Sequence, residues 1–145
     1  MTKVRGSEFC GFAQVDLRRE DRKRMTTRCF RDLQVWRRSM ELARKVYAVT
    51  NTFPRSETFG LTSQLRRAAV SVPSNIAEGR GRLTDKGFAV FLAQARGSLY
   101  ELETQIELAA SLGFTDAQQA QSLITEAAQI GAMIQSLLAG MRPNT

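Results

Sequence analysis

The chain has 145 residues, with 21 Lys+Arg against 14 Asp+Glu, a formal net charge of +7 and no histidine. That length suits one compact domain, and a hydrophobic share of 43% is too high for a disordered chain. Without imidazole, Ser-His-Asp and Cys-His nucleophiles are excluded, as are zinc and di-iron sites that need histidine. Cys10 and Cys29 lie 19 positions apart, form no CxxC pair and read as reduced thiols of a cytoplasmic protein. No apolar run approaches the ~20 residues of a membrane span, and the start carries no apolar signal segment. The expectation is a soluble, basic, intracellular domain with no cofactor, whose charge points to a polyanionic partner.

In chain order, residues 1–29 form a basic extension with 8 Lys+Arg and 4 Asp+Glu and little hydrophobic periodicity. Its run Arg18-Arg19-Glu20-Asp21-Arg22-Lys23-Arg24 mixes signs and reads as a solvated or disordered arm, with nucleic-acid contact as the sharper alternative. Met25 is a second candidate start of translation, which would remove most of this arm.

Residues 30–140 carry four blocks with apolar residues every three or four positions, the pattern of amphipathic helices. The first runs roughly 31–52 with Leu33, Trp36, Met40, Ala43 and Tyr47 inward, Val46 and Val49 widening the stripe, and Phe53-Pro54 ending it. The second starts near Pro54 or Ser56 and runs to about Gly79 through Leu61, Leu65, Ala68, Val72 and Ile76, with a kink expected at Pro73. Gly79 to Leu83 reads as a turn and Thr84 as the N-cap of the third helix, whose core positions are Phe88, Phe91, Ala95, Leu99, Leu102, Ile106 and Ala109. Gly113 closes that helix. The fourth spans about 116–139 with Leu123, Ala127, Ile130, Ile134 and Leu137 inward, and residues 141–145 are a tail. No strand-like alternation occurs. The expected fold is all-α, an up-down-up-down antiparallel four-helix bundle.

Charge is split within the bundle. From Arg31 to Arg96 there are 12 basic and 5 acidic residues, whereas Gly97 to Met141 holds 5 acidic residues and no basic one. Arg31, Arg38 and Lys45, spaced by seven, make one candidate phosphate-binding stripe on the first helix, with Arg37 and Arg44 a second beside it. Glu41 is placed to neutralise part of that face. Arg66 and Arg67 are read either as phosphate ligands or as partners of Glu101 and Glu103. Arg80, Arg82 and Lys86 surround the glycine-rich turn, where backbone amides and a helix start favour an anion. Carboxylate catalysis fails on distance: on one helix, Glu57 and Glu78 would stand roughly 31 Å apart, against the ~5–10 Å that paired-carboxylate hydrolysis needs. Asn75 and Glu78 read as polar residues that fix helix packing, Gly97-Ser98 as a site of close helix approach, and Trp36 as core. The glutamine-rich outer face of the fourth helix (Gln118, Gln119, Gln121, Gln129, Gln135) suggests a subunit interface or a neutral exposed surface.

Several segments carry a family likeness: Phe30-Arg31-Asp32-Leu33-Gln34-Val35-Trp36, Phe53-Pro54-Arg55-Ser56-Glu57, Gly60-Leu61, Gln64-Leu65-Arg66-Arg67-Ala68-Ala69, Ser71-Val72-Pro73-Ser74-Asn75-Ile76-Ala77-Glu78-Gly79, and Ala95-Arg96-Gly97-Ser98-Leu99-Tyr100-Glu101-Leu102. In this order and spacing, residues 30–114 resemble the four-helix-bundle proteins encoded in intervening sequences of bacterial 23S rRNA genes. They are also similar to the accessory variability protein of diversity-generating retroelements. The resemblance implies a ring-like homopentamer with a basic surface suited to nucleic acid and, in the retroelement relatives, a non-catalytic partner of a reverse transcriptase and its RNA.

The expected function is a non-enzymatic, homo-oligomeric nucleic-acid binder, with RNA favoured over DNA, acting mainly through charge. The alternative is a protein-binding scaffold or accessory subunit for a reverse transcriptase or ribosomal component.

Overall fold

The computed structural model describes residues 29–141; the basic extension up to residue 28 and the last four residues lie outside it. The elements are a 3-10 turn (Phe30–Asp32), α1 (Gln34–Thr50), a second 3-10 turn (Arg55–Glu57), α2 (Leu61–Arg80), α3 (Asp85–Ser111) and α4 (Ala117–Gly140). Each helix packs on its neighbours in sequence, and α4 closes back onto α1. With connections this short, neighbours are antiparallel and the result is the expected four-helix bundle. There is no strand among the described residues.

The seam between α2 and α3 is the most extensive contact in the molecule. Leu61, Leu65, Ala68, Val72 and Ile76 all face inward from α2, and Phe88, Leu92, Ala95, Leu99, Leu102 and Ile106 meet them from α3. Gly79 sits in this seam. A Cβ there would lie 2.5 Å from the Phe91 Cβ, so only glycine permits this approach. The helix continues through the buried Pro73 without a break. Polar side chains also bridge the seam: Asn75 Nδ2 donates to the Ser71 carbonyl (2.8 Å) and Oγ (2.9 Å), and the Ser71 and Ser98 hydroxyls share a hydrogen bond of 2.8 Å.

Local signals set the helix ends. The Glu57 carboxylate accepts the Leu61 N–H (2.9 Å), so α2 starts there, later than the sequence spacing predicts. Leu83, in the left-handed region at φ 64°, turns the chain, and Thr84 Oγ1 caps α3 by accepting the Gly87 N–H. Gly113, at φ 77°, donates to the Ala110 carbonyl while Phe114 N–H reaches Ala109, a Schellman closure. Phe114 then packs on Phe53, 5.7 Å between ring centres. The Asp116 carboxylate caps α4 by accepting the Gln119 N–H at 2.7 Å.

The structure corrects the reading of α1. Its buried face is Val35, Ser39, Leu42, Ala43, Val46 and Thr50. Of the five residues expected at the centre of the inward stripe only Ala43 is buried, together with Val46 at its edge; Leu33, Trp36 and Met40 are half-buried and Tyr47 is 43% exposed. The face is turned by about a quarter of a helical turn. Ser39 and Thr50 make this phase affordable, because their hydroxyls donate to the Val35 (2.6 Å) and Val46 (2.8 Å) carbonyls and so enter the core without unsatisfied groups.

Three other expectations fail. Gly97 permits no close approach within the chain, since a Cβ there meets nothing within 4 Å. Glu78 is exposed and pairs with Arg82 at 3.1 Å; it fixes no helix packing. Cys29 is disulfide-bonded, so it is not the reduced thiol expected from the spacing, and Cys10 lies outside the described residues. Separation along the chain did not determine whether this thiol would meet a partner.

The two glycines give a paired test of stability. Gly79→Ala combines an overpacking cost of ~1–3 kcal/mol with a helix-propensity gain of ~1 kcal/mol, for a net loss of about 1 kcal/mol. Gly97→Ala receives the propensity gain alone, about 1 kcal/mol at most. Denaturant unfolding of both variants at low concentration measures the contrast.

Candidate nucleic-acid interface

Ten basic side chains were expected to meet phosphate, and the bundle divides them by what already engages them. On the side of α1 facing α4, Arg38 donates to Gln129 Oε1 at 2.7 Å, and Lys45 Nζ lies 2.9 Å from Glu126 and 3.5 Å from Glu41. The hydrogen bond that Lys45 donates to the Glu126 carboxylate raises the Lys45 pKa above its ordinary value; the charges of Glu126 and Glu41 add to this, while desolvation opposes it. These two cations lie beside an open groove lined by Gln118, Gln121, Ser122, Thr125, Glu126 and Gln129. The predicted stripe of Arg31, Arg38 and Lys45 does not form as a helical row. Arg31 belongs to the 3-10 turn before α1, with its guanidinium 4.5 Å from the Phe30 ring centre.

Arg37 and Arg44 do project from the outer side of α1. Arg37 Nε donates to the Arg31 carbonyl (2.8 Å) and its guanidinium approaches Asp32 (3.8 Å). Arg44 has no hydrogen bond, ion pair or ring contact among the described residues.

Within the chain, Arg66 and Arg67 do not pair with Glu101 and Glu103. Arg66 turns toward α1: Nε donates to Thr50 Oγ1 (2.9 Å), a terminal nitrogen donates to Asn51 Oδ1 (2.9 Å), and the guanidinium covers the Tyr47 ring at 4.6 Å. One residue further round the helix, Arg67 is exposed with no partner among the described residues. Glu101 instead accepts from Gln105 Nε2 at 3.1 Å. The pairing expectation failed because residues 100° apart on a helix serve different seams.

At the turn between α2 and α3, Arg82 pairs with Glu78 and lies 4.8 Å from the Phe91 ring centre. Arg80 stands 6.0 Å from the Phe88 ring centre, and Lys86 is exposed with no partner among the described residues. Two residues escaped the sequence reading. Tyr47 was assigned to the core through the phase error in α1, and Arg96, which reaches Gln135 (2.9 Å) and the Tyr100 hydroxyl (3.1 Å), was not considered.

Glu101, Glu103 and Glu107 lie along α3, where burial, and then the charge of Glu107, raises the Glu103 pKa above the ordinary carboxylate value. Among the described residues no group of three or more Cys, Asp or Glu side chains is arranged to hold a metal ion, and no described helix is long and apolar enough to cross a membrane. A small pocket beside Phe53, with Val46, Leu65, Ile106 and Leu123 in its lining, has about 10 Å3 of space, no more than about one water needs.

A bundle of this topology, with most of its cations on α1, α2 and their connecting ends and the carboxylates of Glu101, Glu103 and Glu107 along α3, defines a small helical protein. Residues 31–136 match the model of the 23S rRNA-intervening sequence proteins, and the chain belongs to that family. Its fold is similar to that of a crystal structure from Bacteroides thetaiotaomicron, described as a protein of unknown function from the S23 ribosomal protein family. The two are 21% identical with a TM-score of 0.67, over 72% of this chain and 97% of that one. No curated protein matches the chain.

Glu103 gives a pH test of this electrostatic picture. Its carboxyl holds a proton more readily in the folded state than in the unfolded one, so its ionisation opposes folding at neutral pH. That opposition disappears as pH falls below the ordinary carboxylate value. Glu103→Gln is therefore expected to be more stable than the parent at pH 7, with the two melting curves converging near pH 3–4, about the range where an ordinary glutamate takes up its proton.

Proposed function

We propose that this chain is a non-enzymatic, homo-oligomeric RNA-binding protein of the cytoplasm, holding its ligand mainly through phosphate contacts. The observation that carries this reading is the position of Arg44 and Arg67. Both are exposed on the outer surface of α1 and α2, and neither has a carboxylate partner among the described residues. Lys86 adds a third such cation at the turn end of the bundle. Cations that the fold leaves unpaired are available to displace counter-ions from a nucleic-acid backbone, an interaction that needs no base-reading motif. Of the ten candidates, Arg44, Arg67 and Lys86 are thus the principal phosphate ligands, while Lys45 and Arg82 are held back by carboxylates of their own chain. The family's name, taken from 23S rRNA intervening sequences, favours RNA over DNA.

Self-association is supported by the outer face of α3. Val90, Tyr100 and Leu108 are each about half exposed, and Gly97 lies among them with open space above it. A stripe of this kind suits helix packing against a second copy, in the pentameric ring that the resemblance implies.

Titrating structured rRNA fragments, tRNA and duplex DNA over a salt series tests the binding reading. The expected result is salt-sensitive affinity, with Arg44→Glu plus Arg67→Glu lowering the log–log salt slope by about 2 while the circular dichroism spectrum stays unchanged. Negligible binding at low salt, or indifference to salt, would contradict it. Native mass spectrometry tests assembly: Leu108→Arg is expected to yield monomers from an oligomeric parent, and a parent that is strictly monomeric at micromolar concentration refutes this part.

A further inference from the structure

The exposure of Tyr47 needs an explanation that the bundle itself does not supply. Its ring is 43% exposed on α1, and its hydroxyl makes no hydrogen bond among the described residues. Arg66 is stacked against it at 4.6 Å and is itself fixed by Thr50 and Asn51. Both acceptors are neutral, so the guanidinium charge beneath the ring has no carboxylate partner within the described structure.

Two other Arg–aromatic pairs differ on this point. Arg82 over Phe91 is neutralised by Glu78. Arg96 beside Tyr100 occupies the tyrosine hydroxyl and donates to Gln135 across to α4. Around Tyr47, by contrast, an open ring, a cation with only neutral acceptors behind it and cations without a carboxylate partner on both flanking helices occur together among the described residues. Arg44 precedes Tyr47 by one turn on α1, and Arg67 follows Arg66 on α2. Val70, also 43% exposed, lies one turn beyond Arg66 and extends the apolar surface.

We infer that Tyr47, braced from behind by Arg66, is a stacking platform for an unpaired RNA base whose flanking phosphates lie on Arg44 and Arg67. This rests on the RNA-binding reading and narrows it to single-stranded or looped segments. The chemistry selects the ligand. A cation against one side of an aromatic ring favours a second π-system on the other side, and cations on either flank favour a polyanionic strand that carries it. A duplex keeps its bases stacked internally and presents only phosphate and sugar to this surface. Stacking of this kind tolerates any base.

The test compares a ten-nucleotide oligoadenylate with an RNA duplex of equal length by fluorescence anisotropy, at one salt concentration, for the parent, Tyr47→Phe, Tyr47→Leu and Arg44→Glu plus Arg67→Glu. Thermal melts check that each variant folds; Tyr47→Phe retains the ring and reports on the platform even where Tyr47→Leu lowers stability. The expected result is a loss of roughly tenfold in oligoadenylate affinity for Tyr47→Leu, duplex affinity within about twofold of the parent, and near-parent behaviour for Tyr47→Phe. Unchanged oligoadenylate affinity in folded Tyr47→Leu, or an equal loss for both ligands, overturns the platform. If the Arg44→Glu plus Arg67→Glu variant still weakens binding in that case, the electrostatic reading survives alone. Failure of the parent to bind either RNA overturns both.

Discussion

The missing side chain at Gly79 is the constraint on which the arrangement depends. It allows α2 to lie against α3 with the Phe91 Cβ where a methyl group would otherwise stand. This fixes the rotation of α2 about its own axis. Given that rotation, Ser71 and Asn75 face the α3 seam, Arg66 faces α1, and Arg67 faces solvent. A helix turned by one residue would exchange these roles. The close seam is thus also what decides which of two adjacent arginines becomes structural and which remains available.

The same principle sorts the other cations. Those directed into a seam find a partner: Arg38 meets Gln129, Lys45 meets Glu126, and Arg96 meets Gln135. Exposed interactions of this sort contribute little to stability. Their larger effect is on availability: Lys45, bound to a carboxylate, offers a weaker field to a passing phosphate, while Arg38 and Arg96 have donors already occupied by glutamine. What remains outward on α1 and α2 is a sparse set of unpaired guanidinium groups around one exposed ring, while α3 carries acidic residues of its own. The net charge of +7 describes this poorly, since most of the described cations are engaged within the chain.

Helix number, order and most of the core were legible in the sequence because leucine, isoleucine and alanine recur at helical spacing in α2, α3 and α4. The caps at Thr84 and Gly113 were legible for a similar reason, as each residue type has a specific backbone use. The phase of α1 was not. Ser39 and Thr50 read as polar, yet each is buried by a hydroxyl bond to its own helix, and the aromatic Trp36 and Tyr47 weighted the periodicity toward the wrong side. That error also hid Tyr47 as a surface residue. For the basic candidates, composition identified the residues correctly as cations, but their partners depend on helix rotation and on which seam each side chain enters. The exchange of Glu101 for Thr50 and Asn51 as the neighbours of Arg66 shows how far a hairpin register alone falls short.

The central claim is that RNA is held by the cations the fold leaves unpaired. Arginine footprinting with a dicarbonyl reagent, read by mass spectrometry with and without bound RNA, tests it most directly on the unaltered protein. The account predicts that RNA protects Arg44 and Arg67 from modification and leaves the reactivity of Arg38 and Arg96 unchanged. Protection confined to Arg38 and Arg96, along α4, would contradict it.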